Sequence, residues 1–170
     1  MAESRMKFVF PIGLLLAFVL DGVCSKIFAG YFFTSSIAVE SRLLLLWFVL
    51  AIFLTDDTIE HIYIWAFCAG IFYDMYYTSF LGLMALLLPF LVYLNRAVFP
   101  FFKSSFIVVL LIYLIDVTLL TTLNYWAMTL IGQAGVSLAS YVTQVLWPTL
   151  IYNLALLVVL FVPLRRIFVE

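Results

Sequence analysis

Apolar residues run along this chain in long blocks broken by a few polar positions. The blocks have the length of membrane-spanning helices rather than of strands or amphipathic faces. Phe8 to Leu20 is uncharged after Arg5 and Lys7 and predicts a first span over 8–25. Leu43 to Leu54 is an apolar run of only twelve residues. Extended back to Ile37 it becomes long enough to cross, over 37–54, if Glu40 and Arg42 snorkel to the interface; an interfacial or re-entrant segment is the other reading. A third span is predicted over 59–76 and a fourth over 80–95, where Pro89 should kink the helix. From Val117 to Leu164 no residue in 48 is charged. A single helix of that length would measure about 72 Å, more than twice the hydrocarbon thickness. The chain must turn back around Gly132-Gln133-Ala134-Gly135, which divides the run into spans over 104–126 and 144–162, with Pro163 expected to stop the last helix. The expected architecture is an all-α polytopic membrane protein with six transmembrane helices in one bundle and no second domain.

Composition excludes the main alternatives. Of 170 residues, 68% are hydrophobic and 10% charged, and the mean hydropathy is +1.27. Soluble domains carry about 25% charged residues, and a chain this small cannot hide so much apolar surface from water. A soluble enzyme, a nucleic-acid binder and a disordered regulator are therefore ruled out, and a net charge of −1 offers nucleic acid no basic face. Asp21-Gly22-Val23-Cys24 after the first apolar run has no small-residue cleavage pattern, so that run reads as a retained span, not a signal peptide. With six spans and both termini cytoplasmic, Arg5, Lys7, Arg96, Lys103, Arg165 and Arg166 lie inside and Lys26 and Arg42 outside, which follows the positive-inside rule. Tyr31-Phe32-Phe33, Tyr76-Tyr77, Tyr125-Trp126 and Tyr141 then fall at the outer interface, and Phe99-Pro100-Phe101-Phe102 at the inner one. Cys24 and Cys68 read as buried free thiols.

Ionisable and amide groups inside spans are the places to look for chemistry. Asp116 lies mid-span with twelve uncharged residues before it, and Asn124 is about 80° round the same helix. Gln144, Thr149 and Asn153 on the last span are its expected partners. Asp116 reads either as part of a polar pocket or proton-sensitive site, or as one end of an interhelical hydrogen bond. Asp21 and Asp74 sit near the outer ends of their helices. The tight turn after Asp74 leaves the first amides of the next span without partners, so its carboxylate is expected either to accept from them or to bind a ligand. Gly70 and Ala66 form a small-residue stripe for close helix contact, and Gly82 can admit another backbone. Asp56-Asp57-Thr58-Ile59-Glu60-His61 has the look of half a metal–diphosphate motif, but no second acidic cluster completes it. It reads better as an N-terminal cap for the third span, with an interfacial histidine. One histidine, no GxSxG and no Walker A leave no catalytic set and no expected cofactor or metal.

Ala69-Gly70-Ile71-Phe72-Tyr73-Asp74-Met75-Tyr76-Tyr77-Thr78-Ser79-Phe80-Leu81-Gly82 resembles the signature of the bacterial rod shape-determining protein MreD family. That signature has a glycine, an aspartate four residues on, an aromatic pair, and a leucine-glycine opening the next helix. The continuation Leu86 to Arg96, the basic start and the basic end resemble the family too. The resemblance implies a non-enzymatic subunit of the cell-elongation machinery in the bacterial cytoplasmic membrane. It would bind MreC directly, sit in one complex with MreB, RodA and a penicillin-binding protein, and help control cell shape and lateral peptidoglycan synthesis. It also implies a fold similar to the substrate-binding subunit of energy-coupling-factor vitamin transporters. The alternative function is accordingly a small-molecule-binding membrane subunit of such a transporter.

Overall fold

In hydrocarbon a backbone amide has no water to bond, and a helix satisfies nearly all of its N–H and C=O groups within its own segment. The charge-free runs therefore wind into helices. The computed structural model describes residues 2–27, 29–32, 36–55, 59–78, 80–102, 105–133 and 135–169, with backbone only at 2–5, 29 and 32. In chain order the helices are α1 (Ala2–Ile27), the single turn α2 (Ala29–Phe32), α3 (Leu43–Leu54), α4 (Ile62–Tyr77), α5 (Leu83–Val98) with a 3-10 extension at Phe99–Phe101, α6 (Phe106–Leu130), the short α7 (Leu138–Tyr141), a π-helical turn at Val142–Leu146, and α8 (Trp147–Val169). No β-strand occurs among the described residues. Four stretches are long and apolar enough to cross a membrane: Met6–Ile27, Leu83–Phe101, Phe106–Leu130 and Leu138–Val169. Their outward faces are coated with exposed apolar side chains such as Leu86 (70%), Ile107 (66%) and Val159 (70%), a surface that water would not tolerate. The chain is an all-α polytopic membrane protein.

The core is α3. Every residue from Leu43 to Phe53 is buried, none more than 7% exposed, because α1, α5, α6 and α8 all pack against this one helix. At 12 residues it is about 18 Å long, well short of a bilayer. An all-round apolar helix enclosed by others is a central post, and in lipid it is held by close packing and hydrogen bonds more than by the hydrophobic effect. Trp47 of α3 packs at a tilt against Phe168 near the end of α8 (ring centroids 4.6 Å apart) and against Phe10 of α1 (6.5 Å). The N-terminal half of α1 and the C-terminal end of α8 thus lie together. The hairpin α4–α5 forms the most extensive helix pair, and α4 also touches α1.

Several expectations are corrected. Residues 37–42 are not the first turns of a spanning helix. Glu40 and Arg42 do not snorkel outward either: Arg42 is 4% exposed and ion-paired with Glu40 inside the bundle. Pro163 does not stop the last helix, since α8 runs through it to Val169. A proline removes one amide donor, and the continuation is anchored by buried Phe168. The residue before α4 is His61, with left-handed φ of 56° and no side-chain cap, and Asp56 and Asp57, the expected cap, lie outside the described residues. Cys68 faces outward rather than into the core, while Cys24 is half-buried. Tyr141 is buried, not interfacial; it stacks on Tyr125 at 4.2 Å. Lys103, Phe33, Ser104 and Ala134 also lie outside the described residues, as does the side chain of Arg5.

Candidate functional site

Most of the buried polar groups meet at two places, and both are helix N-termini. The first is the entry to α3. The backbone of residues 36–42 runs non-helical into the bundle, so its amides need partners from elsewhere. Each partner is a polar residue on a neighbouring helix. Ala38 N–H donates to the carbonyl of Gln144 (2.9 Å), Glu40 N–H to Thr149 Oγ1 (3.1 Å) and Arg42 N–H to Asn153 Oδ1 (3.0 Å). Asn153 Nδ2 donates to the Glu40 carbonyl at 2.8 Å, and the Tyr113 hydroxyl lies 2.9 Å from Asn153 Oδ1 and 3.1 Å from the Arg42 carbonyl.

Gln144 can accept from Ala38 for a reason visible in the chain. Pro148, four residues on, has no N–H to offer that carbonyl, and the turn around it is π-helical. Pro148 is thus a structural position, marked in the sequence by a proline inside the apolar run.

Asp21 closes this clamp from the α1 side. Its Oδ1 accepts from Ser41 Oγ (2.7 Å) and from Leu43 N–H (2.8 Å), and its Oδ2 from Leu44 N–H (3.0 Å). The carboxylate, 2% exposed, therefore caps the first turn of α3, where unpaired N–H groups and the helix dipole both favour a negative group.

The second place is the α4–α5 turn. Asp74, 1% exposed near the end of α4, accepts from Gly82 N–H (2.9 Å), Met84 N–H (3.1 Å) and Ala85 N–H (3.2 Å), while the Thr78 hydroxyl lies 3.1 Å from its Oδ1. Gly82 does not admit another backbone, since nothing lies within 4 Å of where its Cβ would be; it opens α5 at φ +104°, a conformation that side chains resist. A Cβ on Gly70 would lie 2.5 Å from Ala85 Cα and from the Met84 carbonyl oxygen, so glycine is what lets the two helix backbones touch. The aromatic pair divides its roles. Tyr77 donates its hydroxyl to the Phe18 carbonyl of α1 (3.0 Å), and Tyr76 is 71% exposed.

Asp116 stands apart from both. Its partner is not Gln144, Thr149 or Asn153, which are committed to residues 38–42, but Asn95 of α5, whose Nδ2 donates to Asp116 Oδ2 at 2.6 Å. The contact is buried and joins α5 to α6. Asn124 does not join Asp116 either; it lines a polar cavity beside Arg42. Among the described residues no group of three or more His, Cys, Asp or Glu is placed to hold a metal ion.

A family model described as rod shape-determining protein MreD matches residues 6–169, nearly the whole chain. The chain belongs to the MreD family. The rod shape-determining protein MreD of Bacillus subtilis (strain 168) is 27% identical over 164 residues, covering 96% of this chain and 94% of that relative. No solved structure matches. As a member of the MreD family, the protein is a membrane component of the machinery that determines rod shape, and its family is a structural one. The stretch that carries the MreD resemblance is the Asp74 lock and the glycine contact beside it.

Proposed function

We propose that this protein is a non-catalytic membrane scaffold of the cell-elongation complex in the bacterial cytoplasmic membrane. In this reading it binds MreC directly and shares a complex with MreB, RodA and a penicillin-binding protein. Both termini are cytoplasmic, and the protein acts on cell shape through lateral peptidoglycan synthesis. The observation that carries the proposal is the use made of the buried polar groups. Asp21, Asp74, Thr149 and Asn153 are all bonded to backbone at helix entries, and Asp116 is bonded to Asn95. Such groups fix a shape, and a fixed shape with an apolar exterior suits a protein whose task is to be held by partners.

Two measurements test this. MreC is expected to co-purify with the tagged full-length protein from detergent-solubilised membranes, and depletion of the protein is expected to round or widen the cells. Normal shape after depletion together with no recovery of MreC would contradict the proposal. Recovery of ATPase subunits and a bound vitamin-like molecule would instead favour the transporter-subunit alternative.

A further inference from the structure

Where α1, α4 and α6 end and α5 begins, a cavity of about 370 Å³ is lined in part by Glu40, Arg42, Tyr73, Tyr77, Asn124 and Gln133. Two side-chain atoms among these are buried without a hydrogen-bond partner: Arg42 Nε, a donor, and Asn124 Oδ1, an acceptor. Both kinds of orphan are costly, and native structures contain few of them. The clamp on α3 does not need either one. It uses the Arg42 backbone, not the guanidinium, and the guanidinium terminus is taken by Glu40.

Arg42 and Asn124 both line the cavity, so the side chains that carry one cationic donor and one neutral acceptor stand in its wall, with a carboxylate beside them. Glu40 balances Arg42, so a bare anion is poorly matched to the site. A phosphate ester that also carries an ammonium or hydroxyl group matches it at each point. Its phosphate oxygens accept from Arg42 Nε–H, a charge-assisted bond, and its own donor reaches Asn124 Oδ1 and the Glu40 carboxylate. The volume lies near the lower end of small-molecule sites, about 300–1,000 Å³, which suits a head group. Leu81, 77% exposed in the adjoining turn, and Tyr76 offer apolar surface for acyl chains outside. We infer that this cavity binds the polar end of a phosphate ester bearing an ammonium or hydroxyl group, the chemistry shared by membrane phospholipid head groups and small soluble phosphate esters.

The test is native mass spectrometry and thermal unfolding of the purified full chain in non-ionic detergent. The probes are phosphatidylethanolamine, phosphatidylglycerol, phosphoethanolamine, glycerol 3-phosphate and, as a phosphate-free control, diacylglycerol. The protein should retain a phosphate probe in preference to diacylglycerol and unfold at a higher temperature with it. Retention of the phospholipids alone assigns the site to a head group, and retention of the soluble esters as well assigns it to a free ligand. Arg42→Gln and Asn124→Ala should each weaken retention about tenfold, the worth of one hydrogen bond to a charged or well-buried group. Asn124→Ala removes no bond that holds the helices together, so it keeps the test separate from folding. No preference over diacylglycerol, or Asn124→Ala binding like the unmodified chain, would overturn the inference and leave a water-filled cavity only.

Discussion

Replacing Asp21 by alanine is expected to destabilise the protein by about 3 kcal/mol, because it strands buried donors that have no water to turn to. Leu43 N–H, Leu44 N–H and Ser41 Oγ all lose their acceptor together. The damage falls on the helix about which the rest of the bundle is packed, so the loss should appear as global unfolding rather than as a frayed end. Asp21→Asn keeps one acceptor oxygen but turns an NH2 group toward donors and removes the negative charge from the helix entry. It should lie between the two, losing about 1–2 kcal/mol. Reversible unfolding in mixed micelles measures both, and equal stability of Asp21→Ala and the unmodified chain would show that the clamp is dispensable.

Asp74→Ala is expected to cost a similar amount, about 3 kcal/mol, through three stranded amides at the start of α5 and a lost contact to Thr78. Its signature should differ. The α4–α5 hairpin would open first, since Gly70 and Ala85 lie in backbone contact only while that turn holds. Amide hydrogen exchange in nanodiscs should therefore accelerate at Gly82 to Ala85 before it does in α3. Uniform acceleration across the whole chain would contradict a local lock.

The contrast between these two aspartates shows what the sequence could reveal. Asp74 and the amides it binds are eight to eleven residues apart, within one turn of chain, so a carboxylate before a tight turn is a readable pattern. The entry to α3 is different. It is made by residues about 20 positions away on α1 and about 110 away on α8, and no local pattern announces such pairs. The same limit sent Asp116 toward the wrong helix. Asn153 on the last span is as plausible a partner from the sequence as any other polar residue, and only the packing of α5 against α6 decides for Asn95. That the apolar runs would be helical was plain, because a run of apolar residues in a membrane can do little but form a helix. What distinguished the central post from a lipid-facing span was its length of 12 residues and the charged pair Glu40 and Arg42 just before it. Taken as snorkelling, that pair pointed outward; folded in beside Asp21 and Asn153, it marks where the backbone enters the bundle.

A purely structural role for the buried polar residues is tested most directly by measuring shape rescue against folded protein. Cells depleted of the native protein would express Asp21→Ala, Asp74→Ala or Asn153→Leu at graded levels. For each, the amount of folded, MreC-bound protein in the membrane would be set beside cell width. A scaffold held together by these groups predicts one common curve, on which a variant restores width in proportion to the folded protein present. A variant that is fully folded and bound to MreC yet leaves the cells wide or round would contradict it, since that residue would be acting in chemistry or ligand binding and not in holding the fold.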